Sequence, residues 1–234
     1  MHPFLHRISS DLLHFIAPAL CPACDALLER SERGYCNACR SSLDPAPFPR
    51  DIFAEVAGHF PGEELALSAI GSLYSFDPES PVRRLVHALK YKGCYALGVE
   101  MGRDLGRALK VFREFEDIEM VIPVPLHRAR LRERGYNQAE AIARGVSEAM
   151  KHLTIAQALL RTRHTISQTT LDAYARHRNV REVFRVAGEV TGMTVLLCDD
   201  VCTTGATLNA CAERLLLAGA KRVVAATVAK DGEK

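Results

Sequence analysis

The stretch VLLCDDVCTTGATL at residues 195–208 decides the fold. An apolar run ends in two adjacent aspartates, Asp199 and Asp200, and a turn rich in threonine follows before a helical pattern begins at Ala206. A short apolar run bounded by turn residues is typical of a buried strand. The first turn of the following helix offers unpaired N–H groups that suit a phosphate. We therefore expect a strand, a turn and a helix that together hold a phosphorylated ligand.

The rest of the chain alternates between short apolar runs and longer helical patterns. Strands are predicted at SAIGSLYSF, EMVIPVP, MTVLLCDD and RVVAATVA. Helices are predicted near residues 82–91, 96–112, 137–152 and 206–218. This alternation indicates an α/β domain with a mainly parallel sheet flanked by helices. In such sheets the ligand binds beyond the carboxyl ends of the strands, which is where the two aspartates are expected.

The aspartates and the turn suit different parts of one ligand. Carboxylates repel phosphate, but they accept strong hydrogen bonds from the two vicinal hydroxyls of a ribose. The threonine hydroxyls and the flexible backbone at Gly205 suit a phosphate. The inferred ligand is a ribose 5-phosphate unit. The sequence has neither a P-loop nor a dinucleotide-binding glycine motif. The alternative to a ligand site is a capped strand-to-helix turn with exposed acids.

Four of the eight cysteines form two C-x-x-C pairs separated by eleven residues. They are Cys21, Cys24, Cys36 and Cys39. This spacing favours a tetrahedral Zn²⁺ site, and four thiolate ligands leave no open position, so we expect a structural site. The alternatives are a pair of disulfides, which a reducing cytosol disfavours, a thioredoxin-like redox pair and an iron–sulfur site.

The N-terminal quarter of the chain is expected to be organised separately. Residues 1–45 are predicted to form an amphipathic helix and the cysteine module, residues 46–64 an extended linker with prolines at alternate positions, and residues 65–234 the α/β domain. The first helix lacks the sustained apolar region of a signal peptide, and no run approaches the roughly 20 apolar residues that span a bilayer. We expect a soluble, cytoplasmic protein without stable membrane insertion, although the first helix could touch a membrane surface.

Charge is unevenly distributed along the chain. The formal net charge is only +2, but between Pro125 and Val190 there are 12 lysines and arginines against 6 aspartates and glutamates. A local excess of arginine favours an anion-binding segment, because arginine pairs with phosphate oxygens through two N–H groups. The alternative is a solvated basic face.

The motif at 195–208 closely resembles the phosphoribosyl-pyrophosphate-binding motif of type I phosphoribosyltransferases. The segments VPLHRARLRERGYNQAEAIA, SQTTLDAYARHRNVREVF and ALKYKG, with the leading cysteine pairs, resemble the ComF/GntX family of competence-associated proteins. The resemblance covers nearly the whole chain. It implies a type I phosphoribosyltransferase-like parallel sheet flanked by helices, with a small N-terminal zinc-ribbon-like module.

The resemblance also implies roles for particular residues. Asp199 and Asp200 match the catalytic acids that hold the ribose diol. The loop for the 5-phosphate matches Thr203, Thr204, Gly205, Ala206 and Thr207. The turn after MVIPVP takes the place of the pyrophosphate loop, which implies Leu126, His127 and Arg128. Other family signatures, with no role that the residues reveal, are RGYNQ at 134–138 and the later Gln168, Arg176 and Asn179.

The resemblance further implies binding of phosphoribosyl pyrophosphate with Mg²⁺, and uptake or handling of single-stranded DNA during natural transformation. Its partners would then be single-stranded DNA and competence proteins such as a DNA-uptake helicase. Base stacking would rest on tyrosines such as Tyr91, Tyr136 or Tyr174. The alternative is an active phosphoribosyltransferase that joins ribose 5-phosphate to a nitrogen base, without a DNA role, with residues 161–184 closing over the site. No residue identifies the acceptor base.

Overall fold

The computed structural model describes residues 19–62, 64–77, 80–151, 153–162 and 183–232. Most of the predicted N-terminal helix, nearly all of the predicted closing segment, and Gln168, Tyr174, Arg176 and Asn179 lie outside the described residues. Within the described ranges no helix is long and apolar enough to cross a membrane.

A five-stranded parallel sheet forms the centre of the protein. Its strand order is β1-β7-β6-β2-β3, and a separate antiparallel pair joins β4 to β5. The strands are β1 Ile70–Phe76, β2 Met120–Pro123, β3 Thr154–Ile155, β4 Leu159–Arg161, β5 Phe184–Val186, β6 Thr194–Cys202 and β7 Arg222–Asp231. The predicted α/β class with a mainly parallel sheet is therefore confirmed.

Helices cover both faces of this sheet. They are α1 Asn37–Ser42, α2 Pro49–Gly58, α3 Val82–Tyr91, α4 Tyr95–Leu109, α5 Arg128–Arg134, α6 Gln138–Ala149 and α7 Ala206–Leu217. One core contains apolar residues of α3, α4 and α6, and the other contains those of α2 and α7. Successive residues of β6 serve opposite cores because strand side chains alternate: Leu196 belongs to the first and Leu197 to the second.

Helices α4 and α6 pack unusually closely because glycines remove side chains from their contact. A Cβ at Gly102 would clash with the carbonyl oxygen of Ile142, and one at Gly145 would clash with that of Val99. These clashes involve backbone atoms, which cannot swing aside. Of this close pair, α6 packs against β2 and β6, and α4 packs against β1 and β7.

The segment predicted as an extended linker contains helix α2, so the expectation of extended backbone is wrong for Pro49–Gly58. Proline is favoured in the first helical turn, where its missing N–H is not needed, so the alternating prolines lead into a helix. Ile52 and Val56 are fully buried in the core shared with α7. The division of the chain at residues 46–64 stays a prediction, but this part of the chain packs against the sheet domain.

Candidate functional site

The two aspartates lie where strand β2 has ended and strand β6 continues. The pairing of β2 with β6 stops at Pro123 and Cys198, and the N–H of Val124 then donates to the carbonyl of Cys198 (2.9 Å). On its other side β6 stays paired with β7 as far as Cys202. Asp199 and Asp200 are therefore inside a strand, not beyond its end as expected from the sequence, but they lie beyond the carboxyl end of the neighbouring strand.

Adjacent positions on a strand point to opposite faces, so the two carboxylates have different surroundings. Asp200 is 5% exposed and forms an ion pair with Lys90 of α3, with 3.2 Å between Nζ and Oδ2. Asp199 accepts a hydrogen bond from the N–H of Asp200 (2.8 Å) and is attracted by Arg161 at the end of β4. Lys90 also attracts Asp199, so the two acids share its positive charge.

These cations do not fully compensate the negative charge. Burial raises the pKa of Asp199, and the charge of Asp200 raises it further, against the opposing effects of Lys90 and Arg161. A carboxyl group with a raised pKa has lost water without gaining an equal number of donors. The pair would therefore gain from a ligand that brings hydroxyl donors or a cation.

The predicted phosphate loop connects β6 to α7. Gly205 adopts a left-handed conformation (φ 77°) immediately before α7, and a Cβ there would lie 2.5 Å from Cγ1 of Val56 in α2. Both the left-handed backbone and the close approach of Val56 require glycine at this position. Thr203 is exposed, whereas Thr204, Ala206 and Thr207 are half-buried. The first N–H groups of a helix have no acceptor within it, so this turn presents donors close to the aspartates.

The predicted pyrophosphate turn lines a cavity of about 560 Å³. Leu126, His127 and Arg128 form one wall, and Arg161 and Arg185 form another. None of the described residues that line this cavity belongs to 199–207. The structure brings the turn and the aspartates together only indirectly: the turn follows β2, next to β6, and Arg161 both lines the cavity and attracts Asp199.

His127 also has a local structural role. Its Nδ1 accepts a hydrogen bond from the N–H of Ala129 (3.2 Å), which caps α5. This short basic helix follows the turn directly and ends at Gly135, whose left-handed conformation (φ 79°) stops it. The backbone of the turn is thereby held in one conformation.

Two sequence motifs without an assigned role meet at the same edge of the sheet. The hydroxyl of Tyr136, from RGYNQ, donates to the carbonyl of Leu89 in ALKYKG (2.5 Å). The side-chain amide of Asn137 donates to the carbonyl of Val124 (3.1 Å), and its oxygen caps α6. The bond from Tyr136 fastens α3, the helix that carries Lys90, and the bonds of Asn137 fasten the start of α6 to the end of β2. No spacing in the sequence reveals these contacts, because they join residues far apart in the chain.

The four predicted zinc ligands lie together. The Sγ atoms of Cys21, Cys24, Cys36 and Cys39 are all within 4.8 Å of one another, so they could hold a metal such as zinc. Backbone N–H groups of Cys36 and Cys39 donate to the sulfurs of Cys21 (3.4 Å) and Cys36 (3.3 Å). Burial disfavours the Cys21 thiolate, but hydrogen bonds from backbone N–H groups outweigh it and lower its pKa to about 7. This donor set fits a tetrahedral thiolate site.

The cysteine module is fastened to helix α4. Tyr35 donates a hydrogen bond to Oδ2 of Asp104 (2.5 Å), and Arg40 forms ion pairs with Glu100 (3.1 Å) and Asp104 (3.2 Å). A Cβ at Gly34 would lie 2.8 Å from the Cα of Leu97. The module therefore packs on the helical layer of the sheet domain, and its buried cysteines belong to the same apolar core.

Comparison with known proteins adds the family context. Residues 98–234 match the family described as phosphoribosyl transferase domain. The chain is similar to competence protein F of Haemophilus influenzae, with 27% identity over 222 residues that cover 87% of this chain and 93% of that protein. It is also similar to DNA utilization protein YhgH of Salmonella typhimurium, with 28% identity over 216 residues that cover 88% of this chain and 94% of that protein.

One solved structure similar to the chain is that of an allosteric regulatory enzyme of purine biosynthesis. It shares 19% sequence identity with a TM-score of 0.41, and the match covers 60% of this chain and 29% of that one. The chain thus spans less than a third of that enzyme.

Proposed function

Because this chain belongs to the phosphoribosyl transferase domain family and to its ComF group, we propose that it binds phosphoribosyl pyrophosphate together with Mg²⁺. The observation that carries the proposal is the position of Asp199 and Asp200. They lie beyond the carboxyl end of β2 and a few residues before the N-terminus of α7. Ligands of parallel α/β sheets bind at such a position.

Different groups of the proposed ligand contact different residues at the carboxyl end of the sheet. The ribose hydroxyls donate to the two carboxylates, which supplies the donors that the acids lack. The 5-phosphate binds to the N–H groups and hydroxyls of the turn at 203–207, at the positive end of the α7 dipole. The pyrophosphate lies toward the cavity, where Arg128, Arg161 and Arg185 offer positive charge.

The residues present fit a magnesium ion that arrives with the substrate. Mg²⁺ prefers oxygen ligands and is commonly held by one or two carboxylates together with substrate phosphates. The raised pKa of Asp199 indicates negative charge that a cation would offset. When bound, Mg²⁺ neutralises pyrophosphate oxygens and eases their departure. Asp199 and Asp200 would then orient the ribose and stabilise positive charge that develops on its ring.

Isothermal titration calorimetry with phosphoribosyl pyrophosphate and Mg²⁺ tests this proposal. The Asp199→Asn, Asp200→Asn double variant should bind at least about 100-fold more weakly, because it loses two hydrogen bonds to charged groups of about 1.5–3 kcal/mol each. Asp231→Asn is the matched control, since it makes the same chemical change at the end of β7, on the same edge of the sheet. Equal affinity in the wild type and the double variant, with both folded, would contradict the assignment.

A second candidate function is the handling of single-stranded nucleic acid. It is supported by the names of the two relatives, a competence protein and a DNA utilization protein, and by the basic helix α5, in which four arginines accompany one glutamate. Binding of a labelled DNA strand should weaken steeply as salt is added. Phosphoribosyl transfer is tested separately, by release of pyrophosphate in the presence of a panel of nitrogen bases.

A further inference from the structure

Two exposed tyrosines lie near Asp199 and Asp200, the part of the sheet that we call the aspartate edge. Tyr91 at the end of α3 is 57% exposed, and Tyr95 at the start of α4 is 36% exposed. The ring of Tyr91 lies 4.9 Å from that of His87, and the ring of Tyr95 lies 5.7 Å from that of Tyr136. We call His87, Tyr91, Tyr95 and Tyr136 the tyrosine shelf. Exposed aromatic rings are costly to keep in water, so a cluster of them indicates a binding surface.

The shelf borders a strongly basic element. The guanidinium of Arg134, the last residue of α5, lies 5.6 Å from the centroid of the Tyr91 ring. Its Nε and Nη1 are shielded from solvent and have no hydrogen-bond acceptor in the part of the chain that the structure describes. Unsatisfied donors of this kind are rare in folded proteins and call for a ligand or a bound group to explain them.

The rest of α5 shows no sign of a role in packing. None of its seven residues is buried, although Leu131 is among them. Arg128, Arg130 and Arg132 are exposed, and Arg130 forms an exposed ion pair with Glu133 of the same helix (3.0 Å). A helix whose arginines at 128, 130 and 132 are exposed and that carries a net positive charge is suited to a polyanion.

We propose that the tyrosine shelf and α5 together form a binding site for single-stranded nucleic acid. A base stacks on Tyr91, and the exposed Arg130 and Arg132 of α5 contact the phosphates on either side, while Arg128 belongs to the proposed pyrophosphate side. This inference rests on the second candidate function above, and it adds the place and the mode of binding. The combination of aromatic faces with a basic track is the usual way in which proteins bind single strands without reading their sequence.

The site would favour a single strand over a duplex for a physical reason. Bases of a duplex are stacked on each other, and their faces are not available to Tyr91. The shelf also lies close to the proposed phosphoribosyl pyrophosphate site, since Lys90, which pairs with Asp200, is the neighbour of Tyr91 in α3. A bound strand and a bound sugar phosphate would therefore occupy adjoining surfaces.

The absence of tryptophan from the sequence makes a direct test simple. Tyr91→Trp introduces a single fluorophore on the shelf, and its emission should be quenched when an unlabelled oligothymidylate of about 20 nucleotides stacks on it. Phe48→Trp is the matched control: Phe48 is 60% exposed and also has an arginine over its ring, Arg50 at 5.7 Å, but it precedes α2 and lies outside the shelf. Its emission should not change.

Affinity measurements separate stacking from charge. In fluorescence anisotropy with a labelled strand, Tyr91→Ala should weaken binding about tenfold, the loss of one stacked base, with an unchanged salt dependence. Tyr91→Phe should bind like the wild type. Arg132→Gln should instead reduce the slope of log affinity against log salt by about one.

Three results would overturn the proposal in different ways. If the wild type binds no strand, the nucleic-acid function and the shelf both fall, while calorimetry with phosphoribosyl pyrophosphate still judges the first candidate function. If the strand binds but Tyr91→Trp is not quenched, the shelf is wrong and the nucleic-acid function survives. If a duplex of the same length binds and quenches equally well, stacking of a single strand is not the mode of binding.

Discussion

The cysteine module and the aspartate edge both gather groups that repel one another, but they resolve the repulsion differently. At the module, four sulfurs lie within 4.8 Å and backbone N–H groups point at them. At the edge, two carboxylates lie next to each other, with Lys90 and Arg161 as nearby cations. The first arrangement is complete once a metal is bound, because four thiolates fill a tetrahedron. The second is not compensated, because the pKa of Asp199 stays raised by burial and by the charge of Asp200.

This difference fits the two roles proposed for them, a structural metal site at the module and a ligand site at the edge. The module contributes to folding, since Tyr35 and Arg40 anchor it on α4 and its cysteines are part of the core. At the aspartate edge, desolvation and the charge of Asp200 raise the pKa of Asp199, so folding disfavours its ionised form. Functional sites commonly retain such unfavourable groups because a ligand, and not the protein, satisfies them.

The largest expected effect is at the module. Cys39→Ser removes one ligand, and we expect loss of the metal and a decrease in Tm of about 10 °C or more, because structural zinc contributes many kcal/mol to the folding of small modules. Differential scanning calorimetry and metal analysis of the reduced protein measure the two effects. The wild type should contain about one zinc ion per chain.

Cys94→Ser is the control for this variant. Cys94 is half-buried, donates to the carbonyl of Lys92 (3.6 Å) and lies outside the cluster, so neither the metal content nor Tm should change much. A metal-free wild type under reducing conditions, or a Cys39→Ser variant with unchanged Tm, would remove the distinction between the two regions.

A smaller effect of opposite sign is expected at the aspartate edge. The pKa of Asp199 is raised by folding, so its contribution to the free energy of unfolding decreases as pH rises from its unfolded value, about 4, toward the higher folded value. Asp199→Asn removes this decrease in stability, because asparagine does not ionise. We expect Tm values like those of the wild type near pH 4 and an increase of about 2–4 °C at pH 8, which corresponds to about 1 kcal/mol.

Thermal unfolding followed by circular dichroism across this pH range measures the effect. Asp51→Asn is a suitable control, because the ion pair of Asp51 with Arg50 (3.4 Å) is exposed, and such pairs contribute little to stability. If Asp199→Asn is less stable than the wild type at pH 8, the carboxylate stabilises the fold and the contrast with the module is wrong.

The central sheet could be predicted from the sequence because its strands and helices have strong periodicity. Helix α3 has the predicted bounds, and β6 begins within one residue of its predicted start. The resemblance to the ComF family is confirmed by the two relatives. Short elements were missed: α5 has seven residues with nothing buried, and β4 and β5 have three residues each, too few for a period to show.

The site was predictable only in part. Its aspartates and turn are contiguous in the sequence, so they could be identified from one motif. The ion pair of Asp200 with Lys90 and the bond from Tyr136 to Leu89 join residues 110 and 47 positions apart, and only the folded chain brings them together. The sequence also did not predict that β6 continues past Asp200. That continuation depends on β6 staying paired with β7 after its pairing with β2 has ended.

A crystal structure of the protein with phosphoribosyl pyrophosphate and Mg²⁺ would show whether the aspartates and the turn hold this ligand. We expect ribose hydroxyls within hydrogen-bond distance of Asp199 and Asp200, and the 5-phosphate on the N–H groups of the turn at 203–207. A ligand held elsewhere, with Asp200 still paired to Lys90 and the turn not in contact with any phosphate, would contradict it.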